Sequence, residues 1–420
     1  MKTKAIEAIE QLSKLINDYI FLLDSRVSPS DFSRKRKLTF KSTILFMLNF
    51  VKKSLTIELD DFFENFEGVD VTITKSSFTE ARLKIVPEAF VKMNDTIVDG
   101  LYSRDDVKTY RGYRMSAIDG MSLEVNNSEQ LREAFGSAAN QSTSLARALS
   151  SCIYDIENDV IITSIITKCN ASERDIAVTL IEQLEKRGFR NDLILFDRGY
   201  PSRDLLLYLE SKPVKYLMRA SSSTFKAVNE ACEPDQTVEI AMNGKIVKVR
   251  VLKFMLSSGE EEILITNLID EELTIEDFKE LYFKRWGIEV KYNILKNRLQ
   301  IESFTGDNEI AVKQDFYAAI LLSNLVAFAK SDANEIIAEK HQAKNLKYEH
   351  QANTNIIIGK LKNNLILMLL DDNPITRNLK FNKIMSVIIR NTVPIRPGLS
   401  NKRNMRIKAN KYQLNKKRSL

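Results

Sequence analysis

The side chains best spaced for chemistry lie in TIEDFKELYFKRWGIEVKYNILKNRLQI, residues 274–301, whose period is that of one long helix. Arg285, Glu289 and Lys296 follow Tyr282 by three, seven and fourteen residues. At about 100° per residue this gathers all four into a sector of roughly 60°. A carboxylate is thereby presented between two cations and a phenol. Glu289 and Lys296, seven apart, cannot pair as i,i+4 neighbours do. The sector lies roughly 80° around from an apolar stripe of Leu281, Ile288, Tyr292, Leu295 and Leu299, so it borders the core and still reaches a cleft. A solvated face laced with helix ion pairs would use the same residue types. Gly287, in mid-helix, costs about 1 kcal/mol relative to alanine and points to something packing or passing closely there.

Two aspartates stand where a site would be expected. YRMSAIDG followed by MSLEV reads as a strand, a turn and a second short strand, with Asp119 ending the first. ALSSCIYDI and DVIITSII are further strands joined by a tight turn at Glu157-Asn158. A helix over 172–188 is capped by Ser172, with Asp175 three residues on, and stops at Gly188. Leu193 to Phe196 are apolar at consecutive positions, as in a strand buried on both faces, and Asp197 closes the run. A meander, a helix and a central buried strand give an α/β order, and open sheets place their sites at strand ends. Asp-Gly and Asp-Arg-Gly are also plain turn chemistry, so neither aspartate identifies a site alone. The pair combined with Glu289 does.

The rest of the chain supplies the frame. Residues 1–105 read as helices and include the basic run Arg34-Lys35-Arg36-Lys37. Within TKSSFTEARLKIVPEAFVKM (74–93) lies either a helix-turn-helix-like reader touching DNA through Lys75, Ser76, Ser77 and Arg82, or an ordinary amphipathic pair. Residues 106–204 form the first part of an α/β core. A β-rich insertion is expected over 205–272, from VKYLMRA through TVEIA, KIVKVRVLKFML and EEILITNL, with hairpin turns at Asn243-Gly244 and Ser257-Ser258-Gly259. Helices return over 273–330 as the second part of the core. Residues 331–420 are polar and helical, then break at Pro394 and Pro397 into a basic tail. From Asn373 onward there are thirteen Lys or Arg and no acid, so against a total of +6 the preceding residues carry −7. Such a tail suits phosphate backbones, and it would equally serve solubility or localisation.

Composition excludes several chemistries. Cys152, Cys169 and Cys232 are scattered without a CxxC pair, which argues against a zinc site or disulfide framework and for small buried hydrophobes. The two histidines, His341 and His350, match no metallohydrolase pattern, and no phosphate-binding glycine loop occurs. The richest apolar run, Ile44 to Val51, reads as a short core helix, far below the roughly 18 residues a bilayer span needs. Acidic residues interrupt the N-terminal segment at helical spacing, unlike a signal peptide. A cytoplasmic protein with no membrane partner is expected.

Asp119 in AIDG, Asp197 in FDRGY, and Glu289 within Tyr282-x2-Arg285-x3-Glu289-x6-Lys296 resemble the DDE transposases of the IS4 group, whose signature is that Y-R-E-K spacing. The resemblance spans about residues 70–330, because KSSFTEARLKIVPEAF also resembles the segment preceding the first aspartate in that group. It implies an α/β fold: an RNase H-like catalytic core interrupted by a β-rich insertion domain between the second and third acids, flanked by helical N- and C-terminal regions. The 92 residues from Asp197 to Glu289 leave room for that insertion. The resemblance further implies that Asp119, Asp197 and Glu289 hold two Mg²⁺ ions, with Mn²⁺ able to substitute, and that Tyr282, Arg285 and Lys296 engage DNA. Arg198 of the FDRGY block joins the expected DNA contacts. Trp286 would either stack on an unpaired base or pack in the core. The implied partners are the double-stranded inverted-repeat ends and target DNA, bound by a homodimer. The implied reaction is cleavage at the element's ends followed by strand transfer of the freed 3′-hydroxyl. A nuclease on the same core without strand transfer, or a non-catalytic DNA-binding derivative, are the other readings.

Overall fold

Helical spacing of apolar residues up to about residue 102 and again from 275 is separated by a stretch of strand spacing, and the elements follow that division. A computed structural model describes residues 3–34, 36–50, 53–66, 72–139, 144–242, 244–342 and 346–396. Lys35, Val51, Asn243, residues 140–143 of the polar loop and the basic tail beyond Arg396 lie outside the described residues. The chain opens with α1 (Lys4–Ile16), α2 (Tyr19–Ser25), α3 (Phe40–Met47), α4 (Leu55–Phe66), α5 (Lys75–Arg82) and α6 (Glu88–Tyr102). It continues with β1 (Arg114–Glu124), α7 (Glu129–Phe135), β2 (Ser137–Ala139), β3 (Ser144–Asp155), β4 (Val160–Lys168), α8 (Glu173–Lys186) and β5 (Asp192–Phe196). Then come α9 (Arg203–Glu210), β6 (Val214–Ala220), α10 (Lys226–Asn229), β7 (Asp235–Met242), β8 (Lys245–Met255) and β9 (Glu261–Thr266). The last elements are α11 (Ile275–Lys284), α12 (Trp286–Asn297), α13 (Glu309–His341), β10 (His350–Ala352), α14 (Thr354–Leu369), α15 (Pro374–Ile388) and β11 (Thr392–Pro394). Two units result. Met1–Ser103, Ile294–Gly306 and Gln314–Leu420 form a helical unit, and Arg104–Asn293 with Asp307–Lys313 form a sheet unit.

In the helical unit α1 buries Ala5, Ile6, Ala8, Ile9, Leu12 and Ile16 at helical spacing. Its first amides are capped from far along the chain: Asp332 of α13 accepts from the backbone N–H groups of Lys4 and Ala5, both at 2.9 Å. An 18-residue window of α13 is long and apolar enough for a bilayer span, which the sequence reading did not anticipate. Of that window 78% is buried within the protein, as in a core helix. Arg82, expected to touch DNA, ends α5 with 1% of its surface exposed. Its guanidinium donates to Asp315 at 2.7 Å, Thr305 at 2.6 Å and Gln314 at 2.9 Å. A buried cation must be paired and hydrogen-bonded, and these bonds spend the group on holding the fold.

The sheet unit contains the order β4-β3-β1-β5-β6, with β1, β3 and β4 antiparallel and β5 and β6 parallel to β1. This is an RNase H-like core: a meander followed by two crossovers through α8 and α9. Ser172 caps α8 by accepting from the Asp175 amide, and all five residues of β5 are buried, Leu193 to Phe196 as their uninterrupted apolar run requires. The β-rich segment does separate the second aspartate from the helix of Glu289. It begins later than residue 205, because α9 and β6 are core elements, and it continues the same sheet as β9-β8-β7, with β9 antiparallel to β6. β6 would otherwise present an unpaired edge, and β9 covers it.

Candidate active site

Register brings the first two acids together. In the parallel pair β1–β5, Ile118 lies opposite Phe196, so Asp119 and Asp197 are the next residues out on neighbouring strands. Asp119 does not close a turn, contrary to the Asp-Gly signal. β1 runs unbroken through Glu124, paired with β3 residue by residue, and Gly120 is not among the residues at positive φ. The Asp119 backbone is fixed by two hydroxyls: its carbonyl accepts from Tyr292 at 2.6 Å and from Ser151 at 2.8 Å. Its carboxylate accepts from the Gly120 amide at 2.9 Å. Burial pushes the Asp119 carboxyl up to about 6, against the smaller lowering by that amide and by Arg285; Asp197 and Glu173 push the same way as burial.

Glu289 comes from α12. The expected single helix over 274–301 is two helices: α11 starts on the predicted Thr274/Asp277 capping box, and the ladder tightens at Arg285. There the Arg285 amide reaches Tyr282 O at 3.0 Å and the Ile288 amide reaches Arg285 O at 3.1 Å, both one residue shorter than α-helical spacing. The backbone at Arg285 stays in the αR region, so the apolar stripe is kept and its five residues are buried. Gly287 packs near Tyr154 and Ile156, where an added Cβ would sit at 3.4 and 3.5 Å. The neighbours are close, at ordinary van der Waals distance.

The three acids converge on one guanidinium. Arg285, 4% exposed, places Nη2 3.1 Å from Glu289 Oε1 and 4.0 Å from Asp197 Oδ1, and Nη1 3.8 Å from Asp119 Oδ2. Tyr282 donates its hydroxyl to Asp197 Oδ1 at 3.2 Å, and burial raises that phenol above its ordinary pKa. Among the described residues no group of three or more acids, histidines or cysteines is gathered closely enough to hold a metal ion as it stands. The donors are nonetheless of the type hard cations take, three carboxylates from separate elements that all lie within 4.0 Å of one cationic group. Arg285 Nε and Nη1 are buried without a hydrogen-bond partner, so the guanidinium is held there chiefly by charge.

The other expected residues divide. Trp286 is 43% exposed, with Arg285 Cζ 5.8 Å from its ring centroid, so it does not pack in the core. Arg198 is exposed, and so are Lys75, Ser76 and Ser77 at the start of α5. Lys296 belongs to the helical unit, where it pairs with Glu302 at 3.1 Å. Sequence reasoning missed the fastening role of Tyr292, counted only as part of the stripe. Its position three after Glu289, with a hydroxyl that needs a partner when buried, was the available signal. It also missed Glu173, whose carboxylate passes so close over Gly120 that a Cβ there would lie 2.4 Å from Oε1.

The family described as Transposase DDE domain matches residues 110–325, a span that includes all three acids. The chain is 32% identical over 98 residues to y4zB of Sinorhizobium fredii, a protein named as a transposase. That alignment covers 23% of this chain and 27% of the relative. Among solved structures, the cryo-EM structure of the piggyBac transposase synaptic complex with hairpin DNA aligns over 94% of this chain and 86% of that one, at 12% identity and a TM-score of 0.42. Matching over half its length, the chain belongs to the family of proteins that carry the transposase DDE domain.

Proposed function

We propose that this protein is a DNA transposase of the IS4 group that cleaves DNA at the ends of its element and joins the freed 3′-hydroxyl to target DNA. The observation that carries the reading is the convergence of Asp119, Asp197 and Glu289, separated by 78 and 92 residues in sequence, on one guanidinium. In the first step a water oxygen bonds to phosphorus and the 3′-oxygen leaves. In the second, that 3′-oxygen bonds to a target phosphorus and displaces a target 3′-oxygen. Asp119, Asp197 and Glu289 would hold Mg²⁺, or Mn²⁺ in its place, which activates the attacking oxygen and neutralises charge on the phosphate and leaving oxygen.

The remaining residues bind and orient DNA. Arg285 offers a planar fork to a phosphate through the donors it leaves unused, and Tyr282 fixes the orientation of Asp197. Trp286, exposed beside Arg285, offers a face to an unpaired base, Arg198 lies exposed next to Asp197, and Lys296 acts as a point charge. In the helical unit a cavity of about 560 Å³ is lined by Arg34, Arg36, Lys37 and Lys84, which outnumber its Asp31 and Glu80. With Lys75 this is the surface we assign to the inverted-repeat ends, phosphate contacts setting register before bases are read. Two ends joined in one event call for a homodimer.

A plasmid carrying the gene with its native flanking DNA, incubated with purified protein and Mg²⁺, tests the reading. The wild type should cut at the flanks and produce joined molecules, while Asp119→Ala, Asp197→Ala and Glu289→Ala each abolish both. Cutting without joined product would favour a nuclease. Cutting that survives all three substitutions would refute the site.

A further inference from the structure

Arginines elsewhere in the sheet unit show how this fold holds a structural guanidinium. Arg114 forks onto Asp192 with two bonds of 2.8 Å, and Arg250 forks onto Asp235 through Nε and Nη2 with bonds of 2.7 and 2.6 Å while Nη1 and Nη2 also donate to the backbone carbonyls of Asp270 and Leu273. Arg285 is more fully buried than Arg250, yet it makes a single hydrogen bond to an acid, to Glu289 at 3.1 Å. Asp119 and Asp197 stand at ion-pair distance, too far for hydrogen bonds, and Nε and Nη1, which carry three of the five N–H donors, have no hydrogen-bond partner. Buried donors left unused are costly, so evolution of a permanent structural contact would have forked this group as it forked the others. The guanidinium also sits at the joint between α11 and α12, where the backbone ladder changes from i→i+4 to i→i+3 bonds.

Building on the three-acid reading above, we propose that Arg285 is an exchangeable internal counter-ion: without divalent cation its guanidinium holds Asp119, Asp197 and Glu289 around one point, and cation binding displaces it. The role is one of positioning. Three carboxylates gathered without a cation repel one another, and a single resident positive charge keeps the site assembled at modest cost. Displacement then frees a guanidinium with unused donors beside the carboxylates, where a phosphate would meet it. The resident charge is also a competitor, so the protein binds cation more weakly than the bare carboxylates would.

Full-length wild type and Arg285→Met are compared by calorimetric titration with Ca²⁺ and with Mn²⁺, and by thermal melting in EDTA and in excess Ca²⁺. No DNA is present, so neither readout depends on activity. The wild type should bind cation. R285M should melt lower in EDTA, recover most of the difference in Ca²⁺, and bind cation about tenfold more tightly, as loss of one charge-assisted hydrogen bond as competitor would give. Should R285M fail to fold in EDTA, Asp119→Asn in the same background is expected to rescue it by removing one repelling charge. Failure of that rescue overturns the proposal. Equal melting losses with and without Ca²⁺ at unchanged cation affinity would reduce Arg285 to a packed or DNA-binding residue and also overturn it. A wild type that binds no divalent cation refutes the three-acid reading itself.

Discussion

Replacing Tyr292 by Phe removes one oxygen from a buried ring and asks whether the helix of Glu289 is fastened to the strand of Asp119. The hydroxyl donates to the Asp119 carbonyl at 2.6 Å and lies 3.3 Å from Cys152 Sγ. Ser151 donates to the same carbonyl at 2.8 Å, so two hydroxyls match its two lone pairs. Losing either donor alone should cost about 1 kcal/mol, because the carbonyl keeps the other. Losing both strips a buried acceptor of side-chain donors, so Ser151→Ala with Tyr292→Phe should cost about 3 kcal/mol or more against about 2 for the summed singles. In a unit of roughly 200 residues each kcal/mol moves the melting midpoint by about 2–4 °C, so the double variant should melt about 6–12 °C lower. Trp286 is the chain's one tryptophan and lies in the sheet unit, so its fluorescence follows that unit's unfolding. Losses that add within about 0.5 kcal/mol, or a Y292F midpoint equal to wild type, would refute the shared-carbonyl argument.

Other outcomes follow from the same geometry. Arg82→Met should destabilise the helical unit by about 2–3 kcal/mol in denaturant melts, by taking the cation from half-buried Asp315 and the donors from Thr305 and Gln314, whereas Lys75→Ala should leave stability within about 0.5 kcal/mol and weaken binding of a duplex oligonucleotide. Burial holds the Asp332 carboxyl at about 6, above its ordinary 3.8, even though two amides stabilise its charge. The raised value means that burying the charge costs stability above about pH 6, and that the cost shrinks as pH falls towards 3.8. Asp332→Asn should therefore flatten the pH dependence of helical-unit stability between pH 4 and 7 by up to about 3 kcal/mol, and an unchanged profile would count against the assignment. Gly120→Ala should push Glu173 aside and destabilise by about 1 kcal/mol or more, a loss that Glu173→Ala in the same background should relieve in a melting comparison.

What the sequence disclosed was local. The buried strand 193–196, the Ser172 and Thr274 caps and the apolar stripe of the Glu289 helix all came through, because propensity, capping and periodicity are decided within a few residues. Asp119 was misplaced because Asp-Gly favours a turn locally, while a long ladder with β3 outweighs that preference and β3 begins 20 residues beyond Glu124. Arg82 carried the wrong expectation for a similar reason: its position on an amphipathic helix says nothing about Asp315, 233 residues away. The start of the β-rich segment was misjudged because VKYLMRA has the same composition whether it opens an insertion or pairs with β5. The break at Arg285 went unread because the apolar stripe runs through it unbroken and Gly287, the local signal beside it, points as well to close packing as to a change of turn.

The site's construction follows from a conflict that the fold has to settle. Function on this reading needs acids gathered in a partly buried place, and burial opposes their charge, as the raised Asp119 carboxyl records. The sheet unit answers in two ways. Register alone puts Asp119 beside Asp197, so a slip of one residue in β1 or β5 would turn one of them to the opposite face. Against that slip the Tyr292 and Ser151 hydroxyls grip the Asp119 carbonyl, neutral groups that hold the backbone without adding charge of either sign. Among the described residues, the cation that pairs with all three acids is Arg285, bound to them through a single hydrogen bond. Rigid main chain and weakly held charge are the combination expected of a site whose geometry must persist while its counter-ions change.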